Sequence, residues 1–547
     1  MYSTLGIEAL AHGINETKSN YVITSSEQLP KINKILDKIP SLKNLIVFTD
    51  KFTEQNLIEF KITSKSYQNL SVYSLSEIEN LGSNSSKIDN FKKPTKNDLA
   101  VIMYTSGSTG TPKGVMISHG NILTSSRSLI SRLGHVDLGK DKMIAYLPLA
   151  HVLELVCEIV CLVNGISIGY STPQTITDIS SGIKQGQKGD LRVLSPTMMA
   201  AVPIILERLS KAVKDKLSNA DWFKQTLFKQ AYEQKLRKFK LGVSTRLLDR
   251  ILFKPISSAI LGGEIKVILS GGALLSKEVH EFTQVCLCPA VQAYGLTETS
   301  ACATTQMPNQ TENETVGSVA TCSEIRLVDW SEAGYRVTDK PNPRGEILIG
   351  GDNIAMGYFN LVSDDFKFIN GIKYFATGDI GEMLPNGNLK IIDRKKDLVK
   401  LSGGEYVSLN KIESIIKLLP LVDNICVIAD SKKSYCVGLV CPNLKQLKEL
   451  IKKEIPEIEV EDEPNPDKLL ANLCFQLEIN KKLVDKLSKE IMNHCVGHGI
   501  DRFEIPTKVK FVKEIWLPDT GLVTDSLKLK RKEIEKFYAK EIDLLYN

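Results

Sequence analysis

The sequence has little excess of charge of either sign. Its 69 Lys and Arg residues stand against 64 Asp and Glu residues, a net charge of +5 over 547 residues. So small a bias does not predict the concentrated basic surface of a nucleic-acid-binding protein, and we expect no nucleic-acid partner. The chain also lacks an internal repeat and a GxSxG motif, so nothing indicates a repeat array or an α/β-hydrolase.

Long uninterrupted hydrophobic runs are missing as well. The most apolar stretch, residues 152–169, contains Glu154 and Glu158, so we predict a buried amphipathic helix there. A membrane span would need about 20 apolar residues. The N-terminal ten residues lack the basic and apolar regions of a signal peptide, which predicts a protein that faces the cytosol.

Paired cysteines of the CxxC type are absent. The eleven cysteines are scattered, and their spacings fit no zinc site. We therefore predict reduced, buried thiols, as is usual in a reducing compartment.

The chain is too long for a single core, so at least two domains are expected. Short apolar runs predict strands at 41–49, 99–104 and 265–269. The polar residues 78–97 predict a loop. Charged and apolar residues alternate at helical spacing through 204–240, which predicts helix. Strands, glycine turns and helices that recur in this order predict an α/β fold with parallel and mixed sheets.

The pattern of apolar and turn-forming residues changes in the last third of the chain. From about Ile325, short strands alternate with Gly, Pro and Asn turns, which predicts a β-rich subdomain at about 320–393. A basic stretch, RKKDLVK, then leads into an α+β segment. We therefore predict a large domain over 1–393 and a small C-terminal domain over 394–547.

A glycine-rich loop, TSGSTGTPKG, follows the strand at 99–104. Glycines allow close approach of the backbone, and hydroxyls, amides and a lysine suit phosphate oxygens. It is not a Walker A loop, because Lys113 is followed by Gly114 rather than by Ser or Thr. A solvated linker is the alternative, but a linker does not fit between two apolar segments. The candidate phosphate-binding residues are Thr105, Ser106, Gly107, Ser108, Thr109, Gly110 and Lys113.

This loop resembles the phosphate loop of the adenylate-forming superfamily, and four further motifs resemble that superfamily in the same order. They are YGLTET from Tyr294, YFATGDIG from Tyr374, IDRKKD from Ile392 and the lysine of TDSLKLKRKE, Lys528. The resemblance covers essentially the whole chain. It implies that the C-terminal domain is mobile and alternates between adenylation and thioester formation.

The resemblance also implies roles for single residues. It implies that Thr297 binds the α-phosphate, that Glu298 holds Mg²⁺ and that Lys528 contacts the α-phosphate. The remaining residues that it implicates are Tyr294, Gly272 and Ala273 at the adenine, Asp379 and Arg394 at the ribose, His151 on the acyl and pantetheine route, and Gly403 and Gly404 at coenzyme A. By composition alone, a surface salt bridge would explain Asp379 and Arg394, and a core histidine would explain His151.

The resemblance implies that IDRKKD is the interdomain hinge, with Lys396 at the hinge position. The sequence around this hinge resembles that of long-chain fatty acyl-CoA synthetases. KLSGGEYVS follows the hinge, and YLPLAHVLEL, SPTMMAAVP and KPNPRGEI resemble the animal-type branch that favours polyunsaturated acids. This implies ATP, Mg²⁺, coenzyme A and a long-chain fatty acid as ligands, with location at the endoplasmic reticulum or another intracellular membrane surface. Tyr374, Phe375 and Ala376 depart from the usual Trp-Leu-His. The segment before Thr105 is shorter than in that branch, so we expect an incomplete first subdomain and poor solubility.

Two alternatives remain open from the sequence. An adenylating enzyme that loads a carrier protein is one, since Asp525-Ser526-Leu527 mimics a phosphopantetheine attachment motif. A truncated, inactive lipid-binding form is the other. Intact Thr297, Glu298, Asp379, Arg394 and Lys528 argue against the second alternative.

Overall fold

The computed structural model describes most of the chain, in two compact units. One unit comprises Met1–Asn121 with Ala355–Asp364, and the other comprises Ile122–Ile354 with Asp365–Asn547. The described residues are 6–49, 54–64, 69–85, 92–105, 112–134, 137, 139–178, 180, 182–184, 186–308, 310–455, 463, 465–517, 520–524 and 528–547.

The strands are short, as the turn-rich sequence predicts. They are β1 (Tyr21–Ser25), β2 (Asn44–Phe48), β3 (Ser71–Ser74), β4 (Leu99–Thr105), β5 (Lys113–Ser118), β6 (Lys142–Ala145), β7 (Ser167–Tyr170), β8 (Met198–Ala201), β9 (Val267–Ser270), β10 (Ala290–Tyr294), β11 (Thr304–Thr305), β12 (Ser318–Val319), β13 (Ser323–Val328), β14 (Arg344–Gly351), β15 (Gly357–Tyr358), β16 (Phe366–Ile369), β17 (Ile372–Met383), β18 (Leu389–Arg394), β19 (Leu398–Lys400), β20 (Tyr406–Ser408), β21 (Val422–Ile428), β22 (Val437–Pro442) and β23 (Lys508–Phe511).

The helices alternate with the strands through most of the chain. They are α1 (Ile7–Glu16), α2 (Leu29–Asn33), α3 (Glu54–Thr63), α4 (Leu75–Ser83), α5 (His119–Leu133), α6 (Val152–Asn164), α7 (Asp190–Leu194), α8 (Pro203–Ser218), α9 (Trp222–Lys240), α10 (Arg246–Leu248), α11 (Lys254–Leu261), α12 (Lys277–Phe282), α13 (Leu409–Ile416), α14 (Leu444–Glu454), α15 (Pro466–Ile479), α16 (Lys481–Gly497), α17 (Arg531–Phe537) and α18 (Ala539–Tyr546). A π-helical turn, Asp249–Phe253, joins α10 to α11.

The first unit contains a parallel sheet of order β1-β2-β3 and a second sheet of order β15-β5-β4. Leu45 and Val47 of β2 are fully buried in its core, which confirms the strand predicted at 41–49. The loop predicted at 78–97 is wrong over its first residues, because α4 runs to Ser83. Ser74 and Glu77 form a reciprocal capping box that satisfies the first amides of this polar helix.

The second unit is built around a sheet of order β12-β11-β10-β9-β8-β6-β7. Its neighbours from β10 to β7 are parallel, and all four residues of β9 are buried, as a strand covered on both faces requires. The predicted helix at 152–169 ends earlier, at Asn164. Gly165 adopts a left-handed conformation with φ of 63°, which stops the helix before β7.

Two smaller sheets follow along the chain. Strands β13, β14, β17, β16 and β18 form an antiparallel sheet, which confirms the β-rich texture after Ile325. Strands β21, β22 and β23 form a mixed sheet, in which β21 and β22 are antiparallel and β22 and β23 are parallel. It packs with the helices of the C-terminal segment around Ile425, Val440 and Leu473. The α/β fold class with parallel and mixed sheets is therefore confirmed. The predicted boundary between 393 and 394 stays a prediction.

All eleven cysteines are unpaired and buried, as predicted. Within the described ranges, no helix has both the length and the hydrophobicity to cross a lipid bilayer.

Candidate active site

A cleft of about 320 Å³ in the second unit is lined by six of the predicted residues. They are Gly272, Ala273, Tyr294, Asp379, Arg394 and Lys528. The first three lie at the carboxyl ends of the neighbouring parallel strands β9 and β10, where ligands of open α/β sheets bind. The structure therefore brings together predicted residues that are up to 256 positions apart in the sequence, counted from Gly272 to Lys528.

Asp379 makes two side-chain hydrogen bonds with other residues that line the cleft. Its carboxylate accepts hydrogen bonds from Tyr294 Oη to Oδ2 at 2.6 Å and from Arg394 Nε to Oδ1 at 2.8 Å. Asp379 and Arg394 face each other across β17 and β18, so strand pairing itself sets this contact. Asp379 is only 2% exposed. A buried carboxylate that is paired in this way is rigid, and its remaining lone pairs can accept bonds from a ligand hydroxyl.

The ammonium of Lys528 enters the same cleft. A methyl group placed on Gly272 would lie 3.8 Å from Lys528 Nζ, and φ of 86° at Gly272 also favours glycine. Partial desolvation and the positive charge of Arg394 lower the pKa of Lys528 to about 8. Two cations on one side of a cleft suit an anionic ligand.

The backbone holds Lys528 in place from both sides. The amide of Thr524 donates to the carbonyl of Lys528 at 2.8 Å, and the amide of Lys528 donates to Thr524 Oγ1 at 3.1 Å. Val523 and Leu529 form a β-bridge next to this pair. These contacts fix the backbone of Lys528 against that of Thr524.

Thr297 and Glu298 begin a single 3₁₀ turn after β10, two residues beyond the lining residue Gly295. Glu298 is only 9% exposed, a low exposure for a glutamate side chain. Among the described residues, no group of three or more His, Cys, Asp or Glu side chains is placed so that it could hold a metal ion. One buried carboxylate flanked by hydroxyls fits Mg²⁺, because that ion takes its other ligands from phosphates and water.

His151 caps the N-terminus of α6. Its Nδ1 accepts the amide of Leu153 at 3.2 Å, so the proton of the neutral ring is on Nε2. Burial and the charge of Lys528 lower the pKa of His151 to about 4, which keeps the ring neutral at physiological pH. His151 is not among the residues that line the cleft.

The remaining predicted residues are not among those that line the cleft. Thr105 ends β4 and Lys113 begins β5, so the glycine loop connects an antiparallel pair in the first unit. Lys113 Nζ lies 4.7 Å from the centre of the Tyr358 ring. Gly403 and Gly404 are in the turn between β19 and β20, where φ of 98° at Gly404 favours glycine. The positions Ser106, Gly107, Ser108, Thr109 and Gly110 lie outside the described residues.

Sequence reasoning missed the far wall of the cleft. Arg531 Nη1 donates to Glu413 Oε1 at 2.8 Å, and both side chains line the cleft with Asp393 and Asn410. Burial raises the pKa of Asp393 to about 6. The only signal in the sequence was the position of Arg531, three residues after Lys528.

Comparison with known proteins agrees with this geometry. The family model described as "AMP-binding enzyme" matches residues 1–359. The chain belongs to the AMP-binding enzyme family. It is 40% identical over its whole length to "Long chain acyl-CoA synthetase 8" of Arabidopsis thaliana and spans 74% of that protein. It is 34% identical to "Long-chain-fatty-acid--CoA ligase 1" of Schizosaccharomyces pombe, again over its whole length and 77% of that protein.

Solved structures of AMP-binding enzymes share the fold. The adenylation domain of carboxylic acid reductase from Segniliparus rugosus, in complex with AMP and a carboxylic acid, superposes with a TM-score of 0.75 at 20% identity. All of this chain and 78% of that domain are covered. The anthranilate CoA ligase AuaEII gives a TM-score of 0.66 at 17% identity, over 99% of this chain and 82% of that one.

Proposed function

We propose that this AMP-binding enzyme is a long-chain fatty acid–CoA ligase. It activates the fatty acid with ATP to an acyl-adenylate and pyrophosphate, then transfers the acyl group to coenzyme A with release of AMP. The observation that carries the proposal is the convergence of Tyr294, Asp379, Arg394 and Lys528 on one cleft. Full-length similarity to proteins named as long-chain fatty acid–CoA ligases supports the choice of substrate.

In the first half-reaction the carboxylate of the fatty acid attacks the α-phosphate, and the two anions repel each other. Lys528 is the side chain that offsets this repulsion, because a fixed cation at the developing charge lowers the barrier. Asp379, held by Tyr294 and Arg394, accepts the ribose hydroxyls and orients the nucleotide. Residues Thr105 to Lys113 and Thr297 bind phosphate oxygens.

Mg²⁺ belongs to the same proposal, with Glu298 as its protein ligand. When bound, the ion would neutralise phosphate charge. Neutral His151 borders the acyl and pantetheine route, where an uncharged ring does not compete for the phosphates. In the second half-reaction, Gly403 and Gly404 let the backbone approach coenzyme A closely. Attachment to an intracellular membrane surface such as that of the endoplasmic reticulum is also part of the proposal.

The test is pyrophosphate exchange into ATP across a panel of fatty acids, followed by detection of acyl-CoA after coenzyme A is added. We expect exchange that depends on a long-chain acid, and thioester without any carrier protein. Exchange without thioester would point to a carrier-loading enzyme. No exchange with any acid would contradict the proposed activity.

A further inference from the structure

The positive charge of the chain is concentrated in one helical hairpin, residues 221–261. This hairpin consists of α9 followed by the continuous helical segment from α10 to α11. It contains nine Lys or Arg and three Asp or Glu, a local net charge of +6, whereas the whole chain has +5. The remainder of the protein therefore has a net charge of about −1, and the hairpin is a segment whose charge favours an anionic partner.

The hairpin also exposes large apolar side chains. Between 48% and 78% of the surface of each remains accessible to solvent. They are Trp222, Phe223, Leu227, Leu241, Val243, Leu247 and Ile251. At 3.6 residues per turn, Phe223, Leu227 and Leu241 share the outward side of α9 or its continuation. Single exposed apolar residues are ordinary, but seven on one short hairpin are not.

The opposite side of the hairpin is already used for packing. Phe228 and Phe253 bring the two helices together with ring centres 6.1 Å apart, and Lys235 pairs with Asp249 at 2.6 Å. Tyr232 packs on Phe282 of α12 at 5.9 Å. The exposed apolar residues are consequently not needed for the fold of the hairpin.

Basic and apolar side chains alternate on the outward side of the second helix. Leu247, Arg250, Ile251 and Lys254 follow one another at helical spacing, and all four are exposed. Among the described residues, no carboxylate forms an ion pair with Arg246, Arg250 or Lys254. These charges are available to a partner.

We propose that this hairpin docks the enzyme onto an anionic lipid bilayer surface. Long basic side chains can reach phosphate headgroups while Trp, Phe and Leu enter the interfacial region. A packed protein interface suits the face less well, because lysine is depleted and charges are excluded from the centre of such interfaces. A nucleic acid would leave Leu241, Leu247 and Ile251 without a role. Docking would give the proposed ligase access to long-chain fatty acids, which partition into membranes.

The test measures co-sedimentation of the full chain with vesicles of phosphatidylcholine, with and without about one third phosphatidylserine. We expect binding to the anionic vesicles, and weaker binding as sodium chloride is raised from about 0.05 M to about 0.5 M. The charge variant is Arg246→Glu, Arg250→Glu and Lys254→Glu together, and we expect it to bind at least about tenfold more weakly. The apolar variant, Phe223→Ser with Leu247→Ser, should bind anionic vesicles more weakly at every salt concentration.

A matched control changes the net charge by the same amount at another exposed helix. Lys481, Lys482 and Lys489 of α16 are exposed, and their joint replacement by Glu should leave vesicle binding nearly intact. Equal loss in this control and the hairpin variant would overturn the proposal, as would wild-type binding to heparin but not to vesicles. Vesicle binding needs no substrate, so it is independent of the ligase assay. Thioester formation on a long-chain acid supplied in detergent micelles, without vesicles, should be unchanged in the hairpin variants.

Discussion

The phenol of Tyr294 donates a 2.6 Å hydrogen bond to the carboxylate of Asp379, which joins the end of β10 to strand β17. Burial and the nearby carboxylate raise the pKa of Tyr294 well above its usual value, so the phenol remains a donor. A carboxylate fixed on both oxygens is preorganised for the ribose, and this preorganisation can be measured.

Tyr294→Phe removes one of the two bonds that orient Asp379 and leaves Arg394 in place. A hydrogen bond to a charged group contributes about 1.5–3 kcal/mol, so we expect kcat/KM for ATP to fall by about tenfold or more. The control is Tyr374→Phe, which removes a 2.8 Å bond to the carboxylate of Glu324 in the same sheet. Equal effects of the two substitutions in pyrophosphate exchange would contradict the role of Tyr294.

Glu298→Gln should lower adenylation by about a hundredfold or more, because a charged ligand is lost beside a phosphate-neutralising cation. The loss should be greatest at limiting Mg²⁺ and should shrink as Mg²⁺ is raised. Glu324→Gln, in β13, is the control for loss of one carboxylate. Normal exchange by Glu298→Gln at limiting Mg²⁺ would rule out the assignment.

The rate of adenylation should fall at alkaline pH, as Lys528 loses its proton. The pKa of Lys528 is lowered from the ordinary 10.5 to about 8, so the active cation is present below that pH and is lost above it. Lys528→Arg should retain part of the rate and move the alkaline limb upward, since arginine stays charged. Lys530→Arg should leave the pH profile of exchange unchanged. An unmoved limb in Lys528→Arg would assign the titration to another group.

Local patterns in the sequence predicted the elements whose causes are local. The strands at 41–49 and 99–104 follow from short runs of residues. The sequence TGD at Asp379 is typical of a turn, but in the structure Asp379 lies within strand β17. The ion pair of Glu413 and Arg531 could not be predicted in this way, because its partners are 118 residues apart. Helix α4 was missed although its capping box was visible, since Ser74 and Glu77 precede a polar run without a strong apolar stripe.

Glu154 makes stability depend on pH. Burial and the charge of Glu158 raise the pKa of Glu154 from 4.5 to about 8, so the folded state favours the neutral acid. The contribution of neutral Glu154 to the free energy of unfolding is fully present below about pH 4.5 and is lost as the pH rises towards 8. Over that range Glu154 ionises readily in the unfolded chain but not in the folded protein. The melting temperature of Glu154→Gln minus that of the wild type should therefore increase as pH rises from about 5 to about 9. The exposed Glu490→Gln should show no such trend, and a flat difference for Glu154→Gln would contradict the burial argument.

The last prediction concerns domain alternation, for which Lys396 is the proposed hinge. Lys396 is exposed in the turn between β18 and β19, and the hydrogen bonds of that turn are made by the amides of Lys395 and Asp397. Proline at 396 should thus be compatible with the fold while it fixes φ and restricts Lys395.

If one orientation presents Lys528 to the α-phosphate and another presents Leu401–Tyr406 to coenzyme A, the two half-reactions should separate by mutation. Lys528→Ala should abolish acyl-adenylate formation and still convert supplied acyl-adenylate to thioester. Lys396→Pro should form the adenylate and fail in the thioester step, because rotation about the hinge is hindered. The measurement supplies purified acyl-adenylate and coenzyme A to each folded variant and follows thioester formation. Equal loss of both half-reactions in both variants would show that this chain does not alternate about Lys396.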